Sequence, residues 1–294
     1  MSMRKKAIIT IAIGEVYRKR WQSYCQVNWQ RYANKYGYDL ICISSPLDIT
    51  QRAQKRSPSW QKCLILSDEI CERYERVIWM DADILINHKR APDITEQIPP
   101  DKIGGINALF FCRDGLFDSL HSQYLKLWEQ LQIPFIEDRA GQDYYTNYGI
   151  STNLNKVMQM GVLILSPKHH KNLLEKVYYG YEAREGDIWK HTYEMRPLSY
   201  EIMSSGQYCF IDGRFNFLFH HYLAAFHHGL FLRIMGLPEA TRKGTLLRRL
   251  RDHFELTQAM RYAFADSFFL HFAGCPQQQL LWQNTLSLSR TFEN

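Results

Sequence analysis

The stretch "ERVIWMDADILIN", residues 75–87, joins a strongly apolar run to a pair of acids. Residues 77–80 are apolar, and Asp81 and Asp83 follow with only the small residue Ala82 between them. In an extended chain, residues two apart project to the same side, so both carboxylates can face one point. Neighbouring anions repel unless a cation lies between them, and Mg²⁺ and Mn²⁺ take oxygen ligands that they share with substrate phosphates. The stretch therefore predicts a metal–diphosphate site, although a turn-capping Asp beside a solvated one would give the same pattern.

The rest of the chain alternates between strand and helix patterns. Residues 15–36 carry apolar side chains at helical spacing and end at Gly37, and a second helix opens at 57–60 with Ser59 as a candidate N-cap. Strands are predicted at 7–13, 39–43, 77–80, 102–106 and 160–165. This alternation predicts an α/β fold with a mostly parallel central sheet flanked by helices. Ligands of such sheets bind beyond the carboxyl ends of the strands, which is where the two acids lie.

Composition narrows the class of protein. The 294 residues are 46% hydrophobic and 22% charged, which is typical of a folded chain with a sizeable core rather than a disordered one. The seven cysteines are scattered without a CxxC pair, so we expect free thiols in a reducing compartment. The formal net charge of +6 favours an anionic partner such as a nucleotide, a phosphate or a membrane surface, but solubility alone would also explain it.

The first residues imitate a secretory signal and are better explained as a strand. Basic residues precede the apolar run at 7–13, but that run is short and charge returns at once with Glu15. We therefore expect a cytoplasmic protein. The tract "RKGTLLRRLRDHF", residues 242–254, is basic and amphipathic. It predicts an ordinary surface helix, or alternatively a lid or a patch that rests peripherally on anionic lipid.

Four motifs together resemble one enzyme family. "SWQKCLILSDEICERYERVIWMDADILI" (59–86) is similar to retaining GT-A glycosyltransferases related to the fungal and plant galactosyl-, mannosyl- and xylosyltransferases, where a Trp-x-Lys helix leads to a strand ending in Asp-x-Asp. "RYANKYGYDL" (31–40), "MGVLILS" (160–166) and "HFAGC" (271–275) resemble further motifs of that family in the same order. The segment 223–266 has no match and is expected to be a helical insertion.

The resemblance implies a fold and an activity. It implies a single GT-A domain over 1–294, with a nucleotide-binding half at 1–100 and an acceptor half at 101–294. It implies a metal-dependent glycosyltransferase that moves a sugar from a nucleotide-diphosphate donor, with a UDP-hexose favoured, to a hydroxyl of a glycan or another acceptor, with retention. Mn²⁺ or Mg²⁺ and the nucleotide sugar are the implied cofactors, and nucleic acid is not an expected partner.

The resemblance also assigns residues. Asp81, Asp83 and His271 would hold the metal ion. Gln159 and Glu201 would act at the donor sugar, with Gly161 beside Gln159. Nucleotide or donor contacts are implied for Thr10, Ala12, Gly14, Lys62, Asp81, Ala82 and Gly274. The sequence departs from the family at two places, since the family has Asn where Gln159 stands and an acid followed by Gln where Ile202 follows Glu201.

Each assignment has a structural alternative. His271 lies in an apolar run and could be a core histidine. Lys62 could be solvated, Glu201 could lie on a helix surface, and Trp60 is better explained by core packing. Gln142 and Asp143, in the polar and aromatic segment 137–155, could bind acceptor hydroxyls or pair with the backbone.

Two other functions fit parts of the sequence. A haloacid-dehalogenase-like phosphatase also carries Asp-x-Asp at a strand end, but it needs Gly-Thr next, and here Ile84 and Leu85 follow. A non-catalytic module that binds nucleotide or anionic lipid would use the basic tract 242–254 and the net charge. No nucleic-acid motif accompanies that charge.

Overall fold

A six-stranded sheet forms the centre of the computed structural model, which describes residues 5–108, 141–182, 193–235 and 246–273. Its strands are β1 (Lys6–Ile11), β2 (Tyr38–Ile43), β3 (Arg76–Met80), β5 (Ile103–Asn107), β6 (Met158–Leu165) and β7 (Tyr208–Phe210), and β4 (Ile84–Ile86) lies outside it. The strand order is β2-β1-β3-β6-β5-β7. All five predicted strands are present, with bounds that differ by one or two residues.

The sheet is mostly parallel, as the sequence predicts. Strand β1 pairs in parallel with β2 and β3, and β5 pairs in parallel with β7, whereas β6 runs antiparallel to both β3 and β5. Because β6 is antiparallel to β3, the end of β3 that leads into Asp81 lies beside the beginning of β6. The backbone N–H of Asp81 donates a 2.8 Å hydrogen bond to the carbonyl of Gly161.

A second, three-stranded sheet connects distant parts of the chain. It contains β4, β8 (Phe217–Leu218) and β9 (Phe269–His271) in the order β4-β9-β8. Strands β4 and β9 are antiparallel, and Ile84 pairs with His271. This register places His271 one residue along from Asp83, although 188 positions separate the two in the sequence.

Helices cover both faces of the central sheet. They are α1 (Glu15–Trp21), α2 (Val27–Tyr36), α3 (Gln51–Gln54), α4 (Glu69–Glu72), α5 (Gly141–Thr146), α6 (Pro167–Gly180), α7 (Met195–Ser205), α8 (Phe219–Phe226), α9 (His228–Met235) and α10 (Leu246–Asp266). A π-helical turn (Gln22–Gln26) joins α1 to α2, so the helix predicted at 15–36 is continuous. It ends at Gly37, whose φ of 71° is the left-handed conformation that glycine adopts without strain.

The second predicted helix is tighter than the sequence suggested. Residues Pro58–Ser67 form a 3₁₀ helix rather than an α-helix. Its N-cap is Ser57, whose hydroxyl accepts a hydrogen bond from the N–H of Ser59, so the expectation of Ser59 as the cap was wrong. Pro58 follows Ser57 at the first helical position, where its missing N–H costs nothing.

Two apolar cores lie on opposite faces of the sheet. One packs Ile9, Val77 and Trp79 against the 3₁₀ helix and α6, and the other packs Ile8, Ile78 and Met80 against the helix 15–36. The described cysteines are free thiols; Cys25, Cys63 and Cys71 are buried, Cys42 and Cys209 are half-buried, and Cys112 and Cys275 lie outside the described residues. Among the helices that the structure describes, none combines the length and apolar character needed to span a bilayer.

The segment expected to be an insertion, 223–266, is helical in its described residues apart from His227. It contains the end of α8 and the whole of α9 and α10. Residues 246–254 of the basic tract belong to α10, whereas 242–245 lie outside the described residues. Phe254 and Tyr262 of α10 are exposed to solvent.

Candidate metal centre

Asp81, Asp83 and His271 meet at one point. The Nε2 atom of His271 lies 3.1 Å from Asp83 Oδ1 and 3.7 Å from Asp81 Oδ2. One ligand atom from each residue falls within 4.8 Å of the others, and no second cluster of this kind occurs in the part of the chain that the structure describes. The histidine is buried, whereas the two carboxylates keep 30% and 23% of their side-chain surface open to solvent.

The spacing of these atoms fits a divalent cation. Bonds of about 2.1 Å at right angles place neighbouring ligand atoms roughly 3.0 Å apart, which is close to the separation of His271 Nε2 and Asp83 Oδ1. Two carboxylates and one imidazole would supply three ligands to such an ion, which would leave further positions for water or phosphate oxygens. The residues therefore fit the Mn²⁺ or Mg²⁺ that the sequence predicts.

Electrostatics couple the three groups to one another. Burial lowers the pKa of His271, but the charge of Asp83 and its hydrogen bond outweigh burial, so the pKa is raised. Burial would raise the pKa of Asp83, and the neighbouring imidazole outweighs it, so that pKa is lowered. The pKa of Asp81 is raised, mainly by burial. Without a metal ion, Asp83 and His271 therefore favour an ion pair.

The backbone of the Asp81–Asp83 turn is held from the side of the helix 15–36. The thiol of Cys25, in the π-helical turn, lies 3.3 Å from the carbonyl oxygen of Ala82, to which it donates. The indole N–H of Trp29 donates to the carbonyl of Ile84 at 2.8 Å. On the other side, the N–H of Phe272 donates to the carbonyl of Asp83 at 3.1 Å.

The Lys62 ammonium is a positive charge next to Asp81. Its Nζ lies 3.3 Å from Asp81 Oδ1 and 2.8 Å from Glu194 Oε1, and it donates to the carbonyl of Met160 at 3.1 Å. Burial lowers the pKa of Lys62, but the charges of Asp81 and Glu194 outweigh burial and raise it, so the ammonium stays charged. The sequence alternative of a solvated Lys62 is wrong, because only 4% of the residue is exposed.

Glu194 is a buried acid paired with Lys62 that was not predicted from the sequence. It is 1% exposed, and its Oε2 atom has no hydrogen-bond partner among the described residues. It precedes α7, whereas Glu201 lies two turns further along that helix. Glu194 stands seven positions before Glu201 in the sequence, but no local pattern favours one of these two glutamates over the other.

Glu201 forms hydrogen bonds with Lys176 and Tyr181, neither of which is a metal-site residue. Its Oε2 accepts a 2.7 Å hydrogen bond from Lys176 Nζ, and its Oε1 accepts one of 2.6 Å from the hydroxyl of Tyr181. Glu201 is 8% exposed and Lys176 lies on α6. A catalytic role for Glu201 stays a prediction.

Gln159 and Gly161, both on β6, lie beside His271. The side-chain oxygen of Gln159 accepts hydrogen bonds from the N–H of Gly161 and from the amide of Asn216. Asn216 in turn contacts His271, with 2.7 Å between Asn216 Oδ1 and His271 Nδ1. Asn216 was not predicted; the signal was a polar residue inside the aromatic run 215–219.

The remaining predicted residues are distributed as follows. Thr10 and Ala12 lie at the end of β1 and are buried, and Gly14, with a φ of 89°, precedes α1 on the surface. Trp60 is buried in the core with the Arg56 guanidinium 4.5 Å from its ring centre, as the packing explanation predicts. Gln142 and Asp143 lie on α5, and Gly274 lies outside the described residues.

The architecture is similar to that of several solved glycosyltransferases. No family model matches the sequence, and no curated protein matches it. Among solved structures, a glycosyltransferase involved in glycosylation of the major capsid of PBCV-1 superposes with a TM-score of 0.50 at 13% identity, covering 96% of this chain and 99% of that one. The bifunctional glycosyltransferase WbbM gives 0.50 at 11% identity over 92% of this chain, which spans about half (46%) of that protein. The galactosyltransferase LgtC, solved with donor and acceptor sugar analogues, gives 0.44 at 12% identity over 96% of this chain and 95% of its own. The first two superpositions show that the chain has the fold of the GT-A glycosyltransferases, which confirms the predicted fold class.

Proposed function

We propose that this protein is a metal-dependent glycosyltransferase. It transfers a sugar, with retention, from a nucleoside-diphosphate donor to a hydroxyl of a glycan or another acceptor, and a UDP-hexose is the favoured donor. The observation that carries the proposal is the convergence of Asp81, Asp83 and His271 on one point within a GT-A fold. The metal is Mn²⁺ or Mg²⁺, because these ions bind protein carboxylates and diphosphate oxygens at the same time.

The metal-site residues have the chemistry that sugar transfer needs. Breaking the bond between the anomeric carbon and the diphosphate builds negative charge on the leaving group. A divalent cation bound by Asp81, Asp83 and His271 would act as a Lewis acid toward that charge without supplying a proton. The buried Lys62 ammonium, 3.3 Å from Asp81, adds a fixed positive charge next to the same point.

Glu194 is our candidate for the acid at the donor sugar. It pairs with Lys62, which also touches Asp81, so its carboxylate lies on the metal side of α7. Its Oε2 is buried without a partner among the described residues, and a sugar hydroxyl could supply one. Glu201, the acid predicted from the resemblance, remains the competing candidate, with Gln159 as a neighbour of the donor sugar.

The finer details of the resemblance belong to the same proposal. Thr10, Ala12, Gly14, Ala82 and Gly274 contact the nucleotide, within a single domain over 1–294. Its first 100 residues bind nucleotide and the remainder binds acceptor. We place the protein near the fungal and plant galactosyl-, mannosyl- and xylosyltransferases. We propose a cytoplasmic location, with 242–254 as an ordinary surface helix and peripheral membrane contact through it as the alternative.

Calorimetric titration tests the proposal. UDP, GDP and CDP are titrated into the protein with and without Mn²⁺, and one of them should bind with an affinity that depends on Mn²⁺. Asp83→Asn should abolish that dependence, whereas Asp101→Asn, the same change at an exposed site, should preserve it. Equal binding with and without Mn²⁺ would contradict the proposal. If binding ignores Mn²⁺ and weakens steeply with salt, the non-catalytic module becomes the better explanation.

A further inference from the structure

A chain of hydrogen bonds runs from the backbone of β6 to the far side of the His271 ring. The N–H of Gly161 donates to Gln159 Oε1, and the same oxygen accepts from Asn216 Nδ2. Asn216 Oδ1 lies 2.7 Å from His271 Nδ1. Asn216 and His271 are each 1% exposed, so water cannot readily replace these contacts.

The first hydrogen bond, from the Gly161 N–H, determines which atom donates and which accepts in the other two. A backbone N–H can only donate, so the Gln159 atom that faces it must be the oxygen. That oxygen can only accept, so Asn216 must turn its NH₂ toward Gln159 and its own oxygen toward His271. An amide oxygen accepts, and therefore the Nδ1 atom of His271 must carry the proton.

We propose that Asn216 and Gln159 are positioning residues that hold His271 in its Nδ1–H tautomer and thereby leave Nε2 free to bind the metal ion. This inference rests on the proposed function, because it assigns a task to residues around the same ion. We call the hydrogen bonds from Gly161 through Gln159 and Asn216 to His271 the relay. It leaves Nε2 without a proton, and this nitrogen lies 3.1 Å from Asp83 and 3.7 Å from Asp81. A hydrogen bond to the remote nitrogen of a metal-binding histidine fixes the ring orientation and its basicity.

Gly161 links the relay to the acids. Its N–H begins the relay, and its carbonyl accepts the backbone N–H of Asp81 at 2.8 Å. A Cβ atom at this position would lie 2.5 Å from His271 Cε1 and 2.7 Å from Nδ1, so only glycine lets the ring approach β6 this closely. One residue therefore sets the position of both the histidine and one of the acids.

Two variants at one position separate positioning from packing. Asn216→Leu keeps the approximate volume but removes the acceptor for Nδ1–H, and we expect Mn²⁺ affinity to fall about 10- to 100-fold. Asn216→Asp keeps an oxygen toward Nδ1 although it loses the donor to Gln159, and we expect it to bind Mn²⁺ more tightly than Asn216→Leu. A purely space-filling role predicts the reverse order, because an apolar side chain suits a buried site better than a carboxylate.

Histidine NMR reads the tautomer directly and without metal. In the ¹⁵N-labelled full chain, at a pH above which the signals no longer move, His271 should show a protonated Nδ1 and an unprotonated Nε2. His271→Gln identifies its signals. Asn216→Leu should redistribute the proton between the two nitrogens.

The outcomes are distinct. Unchanged Mn²⁺ affinity in Asn216→Leu, or a protonated Nε2 in the wild type under these conditions, would overturn the relay. If Asn216→Leu fails to fold, Gln159→Met is used instead, because it removes the oxygen that accepts from the Asn216 amide. The wild-type spectrum still shows which nitrogen of His271 carries the proton. Failure of the wild type to bind Mn²⁺ would instead overturn the proposed function, and the spectrum would still report whether the relay sets the tautomer.

Discussion

Asn28 and Ile86 exchange two hydrogen bonds across the edge of β4. The Asn28 amide donates to the Ile86 carbonyl at 2.8 Å and accepts from the Ile86 N–H at 2.7 Å, so a helix side chain takes the place of a neighbouring strand. The other edge of β4 pairs with β9, which carries His271. The strand that follows Asp83 is therefore fixed from both sides before any metal binds.

Removing the Asn28 amide should destabilise the protein. Asn28→Leu leaves a buried N–H and a buried carbonyl of Ile86 unpaired, and we expect the free energy of unfolding to fall by about 3 kcal/mol. Urea denaturation measures it. Asn34→Leu makes the same change on an exposed position of the same helix and should cost less than about 0.5 kcal/mol. Equal effects of the two variants would show that the Ile86 contacts add no stability.

Enlarging Gly161 should displace His271. The added methyl of Gly161→Ala would meet His271 Cε1 at 2.5 Å, so we expect Mn²⁺ affinity to fall at least about tenfold, measured by calorimetry. Gly104→Ala is the control, since its methyl would meet Ile164 Cδ1 at 2.7 Å in the same sheet, away from the three metal-site residues. It should cost about 1–3 kcal/mol of stability and leave Mn²⁺ affinity unchanged. Normal Mn²⁺ binding by Gly161→Ala would contradict the close approach described here.

The acids of the site could be predicted from local sequence, and the histidine could not be placed without the resemblance. Asp81 and Asp83 follow a buried strand as predicted, but they lie in the turn between β3 and β4 rather than in extended chain, so this turn brings their carboxylates together. His271 reaches them through the pairing of β4 with β9, a contact between segments that no local pattern connects. The same limitation hid Asn216, whose partner His271 is 55 residues away.

Helical periodicity explains why sequence alone does not separate the two acids at and after the start of α7. Glu194 and Glu201 are seven residues apart, which is close to two full turns, so a helical pattern places them on similar faces. What distinguishes them is their partners: Lys62 for Glu194, and Lys176 with Tyr181 for Glu201. Those partners come from other elements and are decided by tertiary packing.

Paired variants decide between the two glutamates. Glu194→Gln removes the charge next to Lys62 and the metal site, and we expect kcat to fall about 100-fold with a small change in KM for the donor. Glu201→Gln weakens contacts to Lys176 and Tyr181, so we expect its main effect to be about 1 kcal/mol of lost stability. Donor turnover and thermal unfolding are measured for both. A large fall in kcat confined to Glu201→Gln would confirm the prediction made from the resemblance.

Buried His170 should make the protein less stable in acid. Burial lowers the pKa of His170 to about 4, and its Nδ1 accepts a 2.9 Å hydrogen bond from the N–H of Ser166. The unfolded chain binds the proton from about pH 6.5 downward, whereas the folded protein does so only near pH 4, so stability is full above the unfolded value and falls as the pH drops through that window. We expect a loss of about 2.5 kcal/mol between about pH 7.5 and about pH 4.5. His170→Gln should lack this part of the pH dependence, and identical urea-denaturation profiles for both proteins would contradict it.

The ion pair of Lys62 with Glu194 should be strongly coupled. Lys62→Met leaves the buried Glu194 carboxylate without its cation, and we expect a loss of about 3–5 kcal/mol, because an unpaired buried charge is costly. Adding Glu194→Gln removes that charge, so the double variant should be more stable than Lys62→Met alone. Lys171→Met breaks the more exposed pair with Glu72 and should cost far less stability than Lys62→Met, because solvent screens that pair. Strictly additive effects of the Lys62 and Glu194 substitutions in urea denaturation would show that the two side chains do not depend on each other.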